Sequence, residues 1–244
     1  LEASPYSSFV SSYLNRQPMV YVGANDGMLH GFVATTGTDA GKELLAYVPS
    51  EVYGNLSLLT SSSYGGNIGH RAFVDASPTA GDVFYSGSWK TVLVGGLGKG
   101  GQGIYALNIT NPTDSNFDES NAGSLVLWEF TDADDSDLGF TYGQPGIVRL
   151  ANGKWAAVVA NGYNNTETNG GVDTNVSATG NAVLYLVDIS DGTLLKKFDT
   201  GVGIADDPTA AARPNGLATA SPLDLDGDNI VDYIYAGDLF GNVW

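Results

Sequence analysis

The chain has 244 residues, 43% of them hydrophobic, with 33 glycines, no cysteine and a formal net charge of −17. That length and apolar content support a sizeable core, while the acidic excess repels phosphate backbones and anionic leaflets, so nucleic acid is excluded as a natural partner. Disulfide and thiolate chemistry are excluded too, and no apolar run reaches the roughly 18 residues of a membrane span, so no membrane insertion is expected.

Residues 1–18 read as a lead-in segment. In SPYSSFVSSYLNRQP, a serine at the helix start, apolar residues at positions 9, 10, 13 and 14, and Pro18 as a stop predict one short helix. The first residues lack the basic and apolar regions of a signal peptide, so any export signal is expected upstream or already removed.

From position 19 the pattern changes to short apolar runs that end in glycine. MVYVGANDGMLHGF reads as strand, turn, strand, and ELLAYVP as a third strand. Ser77-Pro78 opens a further strand, since proline at a strand start removes no ladder hydrogen bond. TVLVGGLGKGGQGIYALNI then repeats the hairpin, followed by the strand SLVLWEF. Within it, Gly98, Gly100 and Gly103 have the spacing of a dinucleotide fingerprint. That chemistry requires a following helix whose amides meet the pyrophosphate. The next run is instead the strand IYALNI, so a tight hairpin is expected, and Lys99 followed by Gly is no Walker loop.

DADDSD, from Asp132 to Asp137, has uneven spacing and reads as a solvated loop. The polar insertions TNPTDSNFDESNAGS and NGYNNTETNGGVDTNVSATGN read as exposed loops. Their Asn-x-Ser/Thr triplets, including those at Asn108 and Asn175, are too common in such sequence to imply glycosylation. Gln144-Pro145, AAVVANGYNN, NAVLYLVDI and GTLLKKF form a third unit, with Asp191 and Gly192 supplying a turn. Ser221-Pro222 and DYIYAGDLFGNVW begin a fourth.

Gly23, Gly95, Gly162 and Gly237, which read as turn glycines, recur roughly every 70 positions, a repeat lengthened by insertions. Three or four antiparallel strands per radial repeat describe an all-β fold, a β-propeller with long inter-strand insertions over 19–244. About three and a half blades are expected, so the chain reads as part of a larger propeller; a β-sandwich is the competing architecture.

The residues offer no catalytic constellation. His30 lies in the alternating strand MLHGF, where a packed or surface histidine is expected, and neither it nor His70 sits in a triad or metal pair pattern. No G-x-S-x-G elbow occurs, and no enzyme activity is expected.

DLDGDNIVD is more specific. Counting Asp224 as position 1 puts Asp226 at 3, Asp228 at 5, Ile230 at 7 and Asp232 at 9, with Gly227 relaxing the bend. Calcium takes six to eight oxygens at roughly 2.3–2.6 Å, and carboxylates at 1, 3 and 5 with the carbonyl at 7 follow the ligand order of a calcium loop. Asp232 would close the cage, while Leu225, Ile230 and Val231 would anchor it. A solvated acidic turn is the alternative, but four carboxylates without a lysine or arginine among them repel one another unless a cation is present. Magnesium prefers a rigid octahedron rich in water, and zinc would find no nitrogen or sulfur ligand.

The stretches RQPMVYVGANDGMLHGF, KELLAYVPSEVY, VLVGGLGKGGQGIYALNITNP, LGFTYGQPGIVRLANGKWAAVVANGYN and SPLDLDGDNIVDYIYAGDLFGNVW, in that order, closely resemble the C-terminal propeller of the PilC/PilY family of type IV pilus proteins. The resemblance implies an exported protein at the bacterial cell surface or pilus tip, with a periplasmic or outer-membrane-associated pool. It implies type IV pilins or minor pilins as partners, and a role in extension against retraction governed by calcium at Asp224, Asp226, Asp228, Ile230 and Asp232. Attachment to a host-cell or abiotic surface is implied for the family, although no Arg-Gly-Asp triplet occurs here. The competing functions are a quinoprotein-like dehydrogenase, holding pyrroloquinoline quinone beside calcium, and a generic adhesive propeller with structural calcium.

Overall fold

β-Branched and aromatic runs cut by glycine build antiparallel strands. The computed structural model describes residues 2–168 and 175–244. Its first sheet contains β1 (Met19–Gly23), β2 (Leu29–Val33) and β3 (Glu43–Tyr47). The second has four strands, β4 (Thr79–Tyr85), β5 (Ser88–Gly96), β6 (Gly103–Asn108) and β7 (Val126–Thr131). The third repeats this with β8 (Gly146–Arg149), β9 (Trp155–Ala160), β10 (Val183–Asp188) and β11 (Leu194–Asp199). A fourth sheet holds β12 (Ser221–Leu223) and β13 (Tyr233–Tyr235). Every strand pairs antiparallel with its neighbour in chain order.

The sheets are arranged as propeller blades. The first strands of the second, third and fourth sheets converge, with β4 against β8 and β8 against β12. The approach is close enough that a Cβ on Gly81 would lie 3.3 Å from Ile147, and one on Gly146 would lie 3.4 Å from Pro222. The second and third sheets bury their two faces in different cores. Val92, Val94 and Ile104 face the core shared with the third sheet, while Leu93, Tyr105 and Leu107 face the core shared with the first. The same period of two sends Val183, Tyr185 and Val187 one way and Leu184 and Leu186 the other. Burial on both faces explains the unbroken apolar runs.

Four sequence expectations change in the fold. The lead-in helix α1 (Tyr6–Ser12) has Pro5 at its N-cap and no side-chain cap; Phe9 is buried, whereas Val10 and Leu14 are exposed. It is held instead by the second sheet, where Tyr6 Oη donates to Asp82 at 2.7 Å and Trp89 Nε1 donates to the Ser4 carbonyl at 2.9 Å. Gly23 and Gly95 are not turn glycines. Both lie in strands, where a Cβ would come within 2.5 Å of the Val74 carbonyl and 2.4 Å of the Tyr105 ring. Of the four, only Gly162 takes a positive φ, at 77°.

DADDSD is not a solvated loop. Asp132 is buried, and Lys197 on β11 donates to both oxygens of Asp135 at 2.8 Å and to Asp137 at 2.6 Å. Tyr185 Oη adds a bond to Asp135 at 3.1 Å, and Ser177 Oγ donates to Asp137. Burial disfavours the Lys197 charge, but these carboxylates outweigh it and hold the ammonium pKa above its ordinary value. The cluster joins the connection between the second and third sheets to the third sheet's outer strand. Lys197→Met is expected to lower stability by about 2 kcal/mol, less than a fully buried pair because the lysine is part-exposed. Urea unfolding checks this, and adding Asp135→Asn should recover part of the loss.

The second polar insertion also departs from an exposed loop. Residues 169–174 lie outside the described residues, but Asn161, Asn165, Ser177 and Asn181 around them are buried. Asn161 Oδ1 accepts from the Val183 and Leu217 amides at 3.1 and 3.0 Å, tying the third blade to the chain entering the fourth.

Candidate metal centre

The acidic loop 224–232 connects β12 to β13, whose ladder pairs Ser221 with Tyr235 and Leu223 with Tyr233. Asp232 N donates to the Leu223 carbonyl at 2.9 Å, closing the loop at its base. Inside it, Asp224 Oδ1 accepts from Gly227 N at 2.7 Å and Oδ2 from Asn229 N at 2.8 Å. The tight curvature needs positive φ at Gly227 (78°) and Asn229 (64°), two residue types that tolerate it. Asp226 Oδ1 accepts from Asp228 N at 3.2 Å, and Asp232 Oδ2 from Leu225 N at 2.8 Å.

These bonds aim Asp224, Asp226 and Asp232 at one another, with one carboxylate oxygen of each inside a 4.8 Å group. Two oxygens on one calcium ion can stand at most about 5 Å apart when each is 2.3–2.6 Å from it. The donor set is therefore all hard oxygen at a spacing that suits calcium, and it contains no nitrogen or sulfur for zinc. Asp228 stands outside this triangle, and its Oδ1 accepts from Ile230 N at 2.8 Å. Ile230 is half-buried beside it.

Anchoring differs from expectation as well. Leu225 is 64% exposed and anchors nothing, whereas Val231 packs on the core between the third and fourth sheets. Val231 N also donates to the Arg149 carbonyl at the end of β8, at 3.0 Å. The loop is thus fastened to the preceding blade, and sequence reading did not reveal Arg149 as its support. Asp238, just past β13, was missed too. Burial opposes its charge, but bonds from Asn242, Asn215 and Trp244 outweigh that and bring its pKa down to about 2.

His30 is packed, as its strand suggested, but it also bridges two carboxylates. Nδ1 faces Glu43 at 2.5 Å and Nε2 faces Asp26 at 3.0 Å, so both nitrogens serve as donors in the imidazolium form. The carboxylates sit at opposite edges of the ring, which suits a proton-holding bridge. Burial opposes the charge, but the hydrogen bonds to Glu43 and Asp26 outweigh it and raise the pKa. Stabilisation is then complete below about pH 6.5, the unfolded value, and is lost as pH rises through the higher folded value. The urea midpoint should fall over that window, and His30→Gln should flatten the fall.

A family model described as the PilY1 beta-propeller domain matches residues 1–244. A type IV pilus biogenesis factor PilY1 of Pseudomonas aeruginosa (strain UCBPP-PA14) is 42% identical over 241 residues, covering 98% of this chain and 18% of that protein. A PilY1 homolog of Xylella fastidiosa (strain Temecula1 / ATCC 700964) is 41% identical over 248 residues, covering 100% of this chain and 15% of that protein. The crystal structure of the Pseudomonas aeruginosa PilY1 C-terminal domain superposes with a TM-score of 0.70 at 36% identity, covering 98% of this chain and 40% of that one. The chain therefore spans less than a fifth of the length of these two full relatives.

Proposed function

We infer, because this chain belongs to the PilY1 β-propeller family, that it is a propeller module of a type IV pilus biogenesis factor and works as a calcium-responsive binding surface with no catalytic role. The observation that carries the calcium reading is the convergence of Asp224, Asp226 and Asp232 on a loop fastened to the neighbouring blade. These three carboxylates would hold the ion, with Asp228 and the Ile230 carbonyl as supporting oxygens. Bound calcium supplies the positive charge that offsets their mutual repulsion. Asp224 meanwhile keeps the turn closed through its two amide bonds, and Val231 transmits the order of the loop to β8 and the core beneath.

In this reading the loop biases a surface that meets pilins or minor pilins at the cell surface or pilus tip. Calcium occupancy would then favour extension over retraction, and the same surface would contribute to attachment. A ligand shifts such a balance only through its different affinity for the two states.

The test is a calorimetric titration of chelator-treated chain with calcium against magnesium, paired with counts of surface pili in cells carrying the full-length protein with Asp226→Asn. One calcium-selective site and altered piliation are expected. No binding would overturn the calcium reading, and binding with unchanged piliation would overturn the regulatory one.

A further inference from the structure

A cleft of about 400 Å³ opens between the end of α1, the start of β5 and the connection from β6 to β7. Its size lies in the range of small-molecule sites. The chemistry of its wall is unlike that of the rest of the chain. In a protein with 27 acidic side chains, the described residues lining this cleft include no carboxylate, and Lys90 is their one charged group. Asparagine amides at 108, 111, 116 and 121 dominate instead, beside Trp89.

Three of the amides, those of Asn108, Asn116 and Asn121, are held in place by one end each. Asn116 Nδ2 donates to the Asn111 carbonyl at 3.0 Å, Asn121 Nδ2 to the Ser115 carbonyl at 2.6 Å, and Asn108 Oδ1 accepts from Thr110 Oγ1 at 2.6 Å. That leaves Asn116 Oδ1 and Asn121 Oδ1 as acceptors and Asn108 Nδ2 as a donor, with no hydrogen bond among the described residues. The Asn111 amide is free at both ends in the same sense. Trp89 is fixed by its bond to Ser4 and by edge contacts with Phe84 and Trp155 at 5.5 and 5.9 Å between centroids.

We propose that this cleft binds a neutral saccharide of about one or two rings. Charge decides against the other ligand classes. A cation would meet Lys90 and find no carboxylate in the wall. An anion would have to enter against a net charge of −17, toward a lysine already engaged with Ser88 Oγ at 2.8 Å and the Tyr85 ring at 4.4 Å. A wholly apolar ligand would strand the amides without partners. Vicinal sugar hydroxyls each donate and accept, which matches fixed amide donors and acceptors, and the C–H face of a ring suits an indole edge or face. The site is separate from the acidic loop and stands or falls independently of the calcium reading.

The experiment is saturation-transfer NMR and tryptophan fluorescence on the 244-residue chain, with lactose, maltose and N,N′-diacetylchitobiose as probes and glucuronate and inorganic phosphate as anionic probes. A neutral sugar should bind, at least about tenfold more weakly in Asn111→Ala, a change that removes no internal hydrogen bond, and with little change in Lys90→Met. Three results would overturn the proposal: no neutral sugar bound at tens of millimolar, binding unaltered in Asn111→Ala, or preference for glucuronate that disappears in Lys90→Met.

Discussion

Asp226→Asn is expected to weaken calcium binding by at least about 100-fold, the upper end of what losing a mere supporting hydrogen bond does to a metal site. Asp226 contributes one corner of the carboxylate triangle, and only its Oδ1 is engaged by an amide, from Asp228 at 3.2 Å. Asparagine keeps the shape and an oxygen that can accept that bond, so the loop should stay folded while a negative charge is lost. Asp228→Asn should have a clearly smaller effect, because Asp228 lies outside the triangle. Parallel calorimetric titrations of the two variants separate these outcomes. Equal losses would return Asp228 to the direct ligand set that the alternating spacing suggested, and no loss in either would leave the loop an acidic turn.

Gly100→Ala should unfold the chain or lower its stability by more than about 4 kcal/mol, a loss expected only from severe core conflict. Gly100 closes the short turn Gly98–Gly100 between β5 and β6. A Cβ there would stand 1.5 Å from the Phe73 carbonyl oxygen and 2.2 Å from its carbon. The obstacle is backbone and cannot rotate away. Phe73 is itself fully buried, and the chain beside it is pinned on both sides, by Val74 N to the Ala24 carbonyl at 3.3 Å and Asp75 N to the Leu97 carbonyl at 3.0 Å. For a chain of this size the loss corresponds to a fall in melting temperature of roughly 10 °C or more. Gly123→Ala is the control: its Cβ would meet nothing within 4 Å, so stability should hold or rise slightly. A Gly100→Ala protein melting with the wild type would refute the close approach.

That glycine also explains why the fingerprint-like GLGKGGQG is no nucleotide site. β6 follows the turn where a phosphate-binding helix would be needed, and Gly100 is required because another segment of chain crosses against it. The strand grammar was legible because it is local: a period of two, proline at strand starts and the Asp191-Gly192 turn all act within a few residues. Gly192 does take the positive φ that such a turn uses, 77°. Partnerships across blades had no such signature. Nothing in DADDSD announces Lys197, and nothing near Val231 points to the Arg149 carbonyl.

By itself, then, the sequence determined a repeated antiparallel meander of short apolar strands, and an oxygen-rich acidic loop before β13. Both follow from residue order alone, since side-chain alternation and aspartate spacing are fixed by the covalent chain. Tertiary structure decided which aspartates meet. Amide bonds and two left-handed residues curl the loop so that Asp224, Asp226 and Asp232 converge while Asp228 turns to Ile230 N. It also decided which charges are solvated and which are held between blades, because a carboxylate's environment depends on the segment that folding brings beside it.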